Sequence, residues 1–269
     1  VDSKKIIELN KIYDNNFDEK LNVLMATKNG LVKKTPLSEY SNIRKTGIIG
    51  ITLKDEDEII DVRITDGTSD VILVTRTGLS IRFNEEEARP VGRTSMGVKG
   101  ITLGKDDYVI GMEPIVEGSK QTLLAITENG FGKRTKADDF KVKGRNGKGV
   151  KFLNMTEKSG IPVCLDTASD EEDLMVITDG GMIIRTPLSQ ISKIGRDAQG
   201  VRIIKVDENQ KVAAIAIVPH QDEEENIEEE VIIENQDEMQ DLLNSMDENY
   251  DYDSDNDDEV EEEDIEEEE

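Results

Sequence analysis

Four times along the chain, a short apolar run ends in threonine, breaks at a glycine and resumes as a second run. The segments are VLMATKNGLVKKTPL from Val23, VILVTRTGLSIRFNE from Val71, TLLAITENGFGKRTKA from Thr122 and LMVITDGGMIIRTPL from Leu174. Apolar runs of this length around Asn29-Gly30 or Asn129-Gly130 predict β-hairpins, because both turn residues tolerate positive φ. The turn glycines Gly30, Gly78, Gly130 and Gly181 are 48, 52 and 51 residues apart. Further on comes a second anchor: GRTSMGV from Gly92, GRNGKGV from Gly144, GRDAQGV from Gly195, and the variant IRKTGII from Ile43. Its glycines Gly47, Gly97, Gly149 and Gly200 are 50, 52 and 51 residues apart. Two independent anchors keeping one period predict a repeat architecture.

After the second glycine come β-rich runs such as IIGITL (48–53), VKGITL (98–103) and VRIIKV (201–206). A final apolar run ends each repeat, as in IIDVRIT (59–65), YVIGMEP (108–114) and VAAIAIV (212–218). The pattern predicts an all-β array of four-stranded, propeller-like blades with about 50 residues per repeat. Its repeats start near 23, 71, 122 and 174, after a lone strand at 4–12, and the array occupies 1–220. No long amphipathic helix is visible there.

Charge separates this body from the C-terminal segment. Residues 221–269 hold 27 acids and no base, which leaves 33 acids and 33 bases in residues 1–220 and a net charge of −27 for the chain. The segment 221–269 therefore reads as a disordered acidic tail that cannot bury a core. Tethered near positive residues, it is expected to compete with a polyanion for them, or only to confer solubility. With no Trp, five Tyr and five Phe, the chain is a poor candidate for reading bases by aromatic stacking. One cysteine, Cys164, excludes an internal disulfide framework and points to the cytoplasm. The longest uncharged apolar run, Val212–Val218, is far short of the roughly 20 residues that span a bilayer.

The bases of the body recur with the repeat. Four residues after each hairpin glycine stands Lys34, Arg82, Arg134 or Arg185, and Lys33 and Lys133 double the charge in two repeats. The second anchor carries Arg44, Arg93, Arg145 and Arg196, with Lys45 and Lys148 inside it. Lys99, Lys151 and Arg202 come just after it. In a regular array, equivalent positions fall on one rim, so these residues are expected to line a track suited to the evenly spaced phosphates of a duplex. Arginine forks and glycine loops position a nucleic acid without reading its sequence.

The motifs ATKNGLVKKTPLSEY (26–40), NEEEARPVGRTSMGVKGI (84–101), ITENGFGKRT (126–135) and RTPLSQISKIGRDAQGVRII (185–204) resemble the C-terminal domain of the DNA gyrase A protein. The resemblance covers roughly residues 5–219. It implies a β-pinwheel whose blades exchange strands and whose basic perimeter binds and wraps double-stranded DNA. It also implies a place in a heterotetramer of two A and two B subunits, cytoplasmic and nucleoid-associated, that introduces negative supercoils. ATP and magnesium are then used elsewhere in that assembly. The family pattern has six blades and a Gln-Arg-Arg-Gly-Gly-Lys-Gly loop in the first. Here there are four repeats, and the nearest echo is KGRNGKG (143–149), so the chain reads as the C-terminal part of a longer one. The A protein of topoisomerase IV has a related, shorter array; the acidic tail and the closeness of the repeats favour gyrase.

Catalytic signals are weak. His220 is the one histidine, so no triad or histidine metal cluster can be assembled. Gly100–Lys105 imitates a phosphate loop with the wrong spacing and no Ser or Thr for magnesium. Asp251, Asp253, Asp255, Asp257, Glu259 and Glu262 have calcium-loop spacing, but Asn256 replaces the required glycine. None of Tyr13, Tyr40, Tyr108, Tyr250 or Tyr252 is assigned a cleavage role. The segment is expected to hold no catalytic, cofactor or metal site. The rival readings are a protein-interaction scaffold with a basic rim and a nucleic-acid mimic led by the tail.

Overall fold

The computed structural model describes residues 20–42, 47–207 and 209–220. In chain order the strands are β1 (Asn22–Thr27), β2 (Leu31–Pro36), β3 (Ile59–Thr65), β4 (Asp70–Thr75), β5 (Leu79–Asn84), β6 (Val98–Lys99), β7 (Val109–Ile115) and β8 (Thr122–Thr127). They continue with β9 (Phe131–Lys136), β10 (Val150–Lys151), β11 (Pro162–Ala168), β12 (Glu172–Thr178), β13 (Ile183–Pro187), β14 (Val201–Arg202) and β15 (Val212–Pro219). Among the described residues, helix is confined to 3₁₀ turns at Leu37–Tyr40, Glu85–Glu87, Ala137–Asp139 and Leu188–Gln190. The expected strand at 4–12, the acidic tail, Arg44 and Lys45 lie outside the described residues.

The threonine that ends each first run closes the hairpin. The carbonyls of Thr27, Thr75, Thr127 and Thr178 accept from Gly30, Gly78, Gly130 and Gly181 N–H at 2.9–3.0 Å. Their hydroxyls accept the N–H of Leu31, Leu79, Phe131 and Met182 at 3.1–3.4 Å. Each turn glycine sits at φ between +74° and +83°, a region where other residues are strained. All four hairpins then share one register, for example Val23↔Thr35, Val71↔Phe83, Leu123↔Thr135 and Leu174↔Thr186.

The sheets are ordered β3-β1-β2-β6, β10-β5-β4-β7, β11-β8-β9-β14 and β13-β12-β15. Ownership of the outermost strand differs from the expectation drawn from chain order. The run after each second anchor does not complete its own unit; it pairs with the second hairpin strand of the preceding one. The fourth sheet accordingly has three strands, and 48–53, expected as a strand, forms none. The exchange explains why two anchors keep one period. Gly30 O accepts Gly100 and Ile101 N–H, Gly78 O accepts Phe152 and Leu153, and Gly130 O accepts Ile203 and Ile204. The second glycines pass so close to the receiving strand that a Cβ at Gly97, Gly149 or Gly200 would lie 2.4–2.7 Å from the carbonyl oxygen of Val32, Ser80 or Gly132.

The blades pack face to face, and the central strands β1, β4 and β8 are buried on both sides. Leu24, Val71, Phe83 and Met112 fill the first seam. Ile72, Leu123, Phe140 and Phe152 fill the second, and Leu124, Leu174, Val176 and Ile204 the third. β3, β7, β11 and β15 form the inner wall around a cavity of about 500 Å³. Asp61, Arg63 and Asp166 face it, among Ile110, Leu165 and the alanines of β15. Arg63 bonds Asp61 and, at 2.5 Å, Glu113 Oε1. Burial, with the Asp166 charge next, pushes the Glu113 carboxyl well above the ordinary carboxylate range, while Arg63 pulls the other way. His220 is exposed and places Nδ1 2.6 Å from Asp173 Oδ1.

Candidate nucleic-acid interface

The outermost strands β6, β10 and β14 are the perimeter of their blades. The second residue of each is a base: Lys99, Lys151 and Arg202, paired in the ladder with Leu31, Leu79 and Phe131. All three are exposed. A strand in the sequence thus becomes an edge on which three of the four blades present one cation at the same station. The Arg202 guanidinium also lies 5.4 Å from the Phe131 ring centroid, an orientation that fixes its stem.

The second anchor forms the loop leading into each outer strand. Lys148 is exposed there, and Arg93, Arg145 and Arg196 are half-buried. Arg93 Nη1 donates to Ile49 O at 2.8 Å, and Arg145 Nη1 to Lys99 O at 3.0 Å. Arg145 Nε also donates to Glu87 O. Arg93 and Arg145 therefore brace consecutive anchors while keeping part of the guanidinium at the surface.

The bases next to the first three hairpins do not reach the rim, whereas Arg185 in the fourth is exposed. Lys33, Lys34, Lys133 and Arg134 are at most 4 % exposed. Lys34 Nζ donates to Glu85 O at 2.9 Å, Arg82 Nη1 to Ala137 O at 2.7 Å, and Arg134 Nη1 to Leu188 O at 2.7 Å. Each acceptor is the first residue of the next repeat's 3₁₀ turn, so this recurrent base is a clip between blades. Arg82 and Arg134 are also ion-paired with Asp70 and Asp170. Arg185, which has no following repeat among the described residues, turns to Asp173 and Pro219 O.

Lys33 and Lys133 serve as plugs beneath the anchor loops. Lys33 Nζ is 2.5 Å from Gly50 O and Arg93 O, and Lys133 Nζ is 3.0 and 2.7 Å from Gly195 O and Arg196 O. Burial pushes both ammonium groups down to about 8. The expected track is thus corrected: Lys33, Lys34, Arg82, Lys133 and Arg134 hold the array together from inside. Lys99, Lys148, Lys151 and Arg202 remain on its edge, with Arg93, Arg145 and Arg196 behind them. Sequence reasoning passed over Lys141 and Lys143, both exposed in the same loop as Lys148. Their signal was the acid-free run KVKGRNGKGVK from Lys141.

Known proteins carry the same repeats. The family described as DNA gyrase C-terminal domain, beta-propeller, matches residues 21–66, 69–115, 121–161 and 172–219, one match per blade. The DNA gyrase A protein of Staphylococcus aureus strain MRSA252 is 44% identical over 208 residues, covering 77% of this chain and 24% of the relative. Its counterpart in strain NCTC 8325 is also 44% identical over 208 residues, with 77% and 23% covered. The chain thus spans about a quarter of these relatives' length. Among solved structures, the C-terminal domain of DNA topoisomerase IV superposes with a TM-score of 0.72 at 28% identity, over 82% of this chain and 68% of that one. A DNA gyrase A C-terminal domain superposes with a TM-score of 0.68 at 23% identity, over 76% and 67%, and supports the fold. No helix among the described residues is long and apolar enough to cross a membrane. Strand exchange, the repeat-by-repeat match and the close relatives agree: the chain belongs to the family of DNA gyrase C-terminal β-propeller domains.

Proposed function

We propose that this chain binds double-stranded DNA along its blade perimeter, largely without regard to sequence, and bends it around the array. In this reading it is part of the A protein of a gyrase built from two A and two B subunits. It serves the ATP-dependent negative supercoiling carried out by that whole enzyme in the cytoplasm. The observation that carries the reading is the recurrence of Lys99, Lys151 and Arg202 at one station on consecutive outer strands. Cations repeated at a fixed interval along an edge match a polyanion whose charges are also periodic, and contacts to phosphate position a duplex without specifying it.

The test separates edge from clip. For a mixed-sequence duplex, the log of the binding constant should fall linearly with log salt, by about 0.9 per phosphate neutralised. Replacing Lys99, Lys151 and Arg202 together by Ala should lower that slope by about three and leave the unfolding midpoint unchanged. Arg134→Met should do the reverse. Salt-independent binding, or loss confined to particular sequences, would overturn the reading and favour an acidic protein as partner. Wrapping is read separately: with relaxed plasmid and a nicking-closing topoisomerase, a chiral shift in linking number is expected. The superposition on the topoisomerase IV domain favours a second assignment, to the A protein of that enzyme. Reconstitution with the B protein of each enzyme decides it by supercoiling against decatenation.

A further inference from the structure

The plug beneath the anchor loop is not the same in every blade. Three residues after the hairpin glycine, the first and third blades have Lys33 and Lys133, whose ammonium groups fill the space under loops 92–97 and 195–200. In the second blade that station is Ile81, 4 % exposed. Its side chain ends under Gly147, where a Cβ would be 3.3 Å from Ile81 Cδ1. No ammonium enters, and a pocket of about 140 Å³ is left between β5 and the loop, floored by Ile81 and Phe140.

The frame of this pocket is cationic. Lys141, Lys143 and Lys148 line it, together with Gly144, Gly147 and Gly149, whose missing side chains expose backbone. The three ammonium groups make no ion pair or hydrogen bond among the described residues. Arg82 at the inner end is occupied by Asp70, Ala137 O and Phe140 O. The carboxylate nearby, Glu87, accepts the Arg145 N–H at 3.0 Å and would lie 3.7 Å from a Cβ on Gly144, but it does not line the pocket. The corresponding loop of the third blade contains Asp197, and its Lys193 is bound to Asp170 at 2.5 Å. Three ammonium groups without a direct ion pair, around a small concavity with open glycine backbone, suit a compact, multiply charged oxyanion.

We propose that this pocket is a discrete binding site for a single phosphate group, which free inorganic phosphate can fill and which holds one backbone phosphate when duplex is bound. The second half rests on the proposed DNA binding; the first does not. The site would fix the register of a duplex at the second blade, while the other outer strands supply unpocketed contacts.

The experiment follows backbone amide resonances of the 269-residue chain as inorganic phosphate replaces chloride at constant ionic strength. Saturable shifts are expected at Gly144, Gly147 and Gly149, and none at 92–97 or 195–200. Lys148→Ala should weaken phosphate about tenfold, the scale of one charge-assisted contact, and Lys120→Ala should leave it unchanged. Ile81→Lys is the decisive variant: it adds a positive charge yet installs the plug of the neighbouring blades, and it should abolish saturation. Non-saturating shifts, equal shifts in all three loops, or stronger phosphate binding by Ile81→Lys would each overturn the pocket. If Ile81→Lys does not fold, the Lys148→Ala titration decides the same question. A mixed-sequence duplex forms the second arm. Shifts of the same amides by both ligands support the whole proposal. Phosphate saturation without a duplex effect keeps the pocket and removes the DNA reading at this loop. Duplex binding without phosphate saturation removes the pocket and leaves the perimeter.

Discussion

At the scale of single residues, two glycines with the same backbone have different tasks. Gly130 and Gly181 both close hairpins, at φ +76° and +83°. A Cβ on Gly130 would lie 2.4 Å from Ile204 O, whereas nothing stands within 4 Å of one on Gly181. Gly181→Ala should therefore cost only the left-handed strain of about 1–2 kcal/mol. Gly130→Ala adds the displacement of an incoming strand and should cost clearly more. Urea midpoints of the two variants check this, and equal losses would count against the latch. The same distinction explains how much of the site was legible. Recurrent bases are visible in the sequence, but recurrence arises equally from a repeated phosphate contact and from a repeated clip such as Lys34 to Glu85 O. Position in the sheet separates the two. Lys34 and Arg134 lie on strands with a neighbour on each side and are buried against the following blade, so their charge is turned inward to carbonyls. Lys99 and Arg202 lie on outermost strands, and nothing in the residues themselves tells which case holds.

Among elements, the hairpins were readable because a threonine and a glycine at fixed spacing suffice to close each one. The runs that become outer strands were readable too, but their short extent and their partners were not, because β6, β10 and β14 are two residues long and pair in another repeat, an exchange that only the family resemblance implied. Pairing of that kind is written in steric room at Gly97, Gly149 and Gly200 rather than in local propensity. The fourth blade shows the effect of leaving it out. β13 is paired on one side only, with Ile183 57 % exposed. Its outward amides should exchange with solvent far faster than those of β2, β5 and β9, which carry a strand on each side. Hydrogen exchange resolved by residue reads this directly, and uniform protection across the four hairpins would contradict the topology.

For the molecule as a whole, the inner wall sets a dependence on pH. Glu113 is buried beside Asp61 and Asp166 and shares Arg63 with the first, so the folded state holds its proton at a pH where the unfolded chain has released it. A raised acid contributes stability below the ordinary carboxylate range and loses it as pH rises. Stability should therefore decline from pH 4.5 upward, by at most about 1.4 kcal/mol per pH unit for one proton. Glu113→Gln should flatten that decline in a series of urea titrations, and an unchanged slope would assign the dependence elsewhere. The exchange of outer strands has a different reach, into biosynthesis. Because Leu31 finds its ladder partner only at Lys99, and Leu79 only at Lys151, a blade emerging from the ribosome stays unfinished until its successor has been translated. Each newly made blade thus waits with an unpaired edge, and the growing chain matures one unit behind synthesis. In that interval, nascent chains on one messenger can pair with each other in place of themselves.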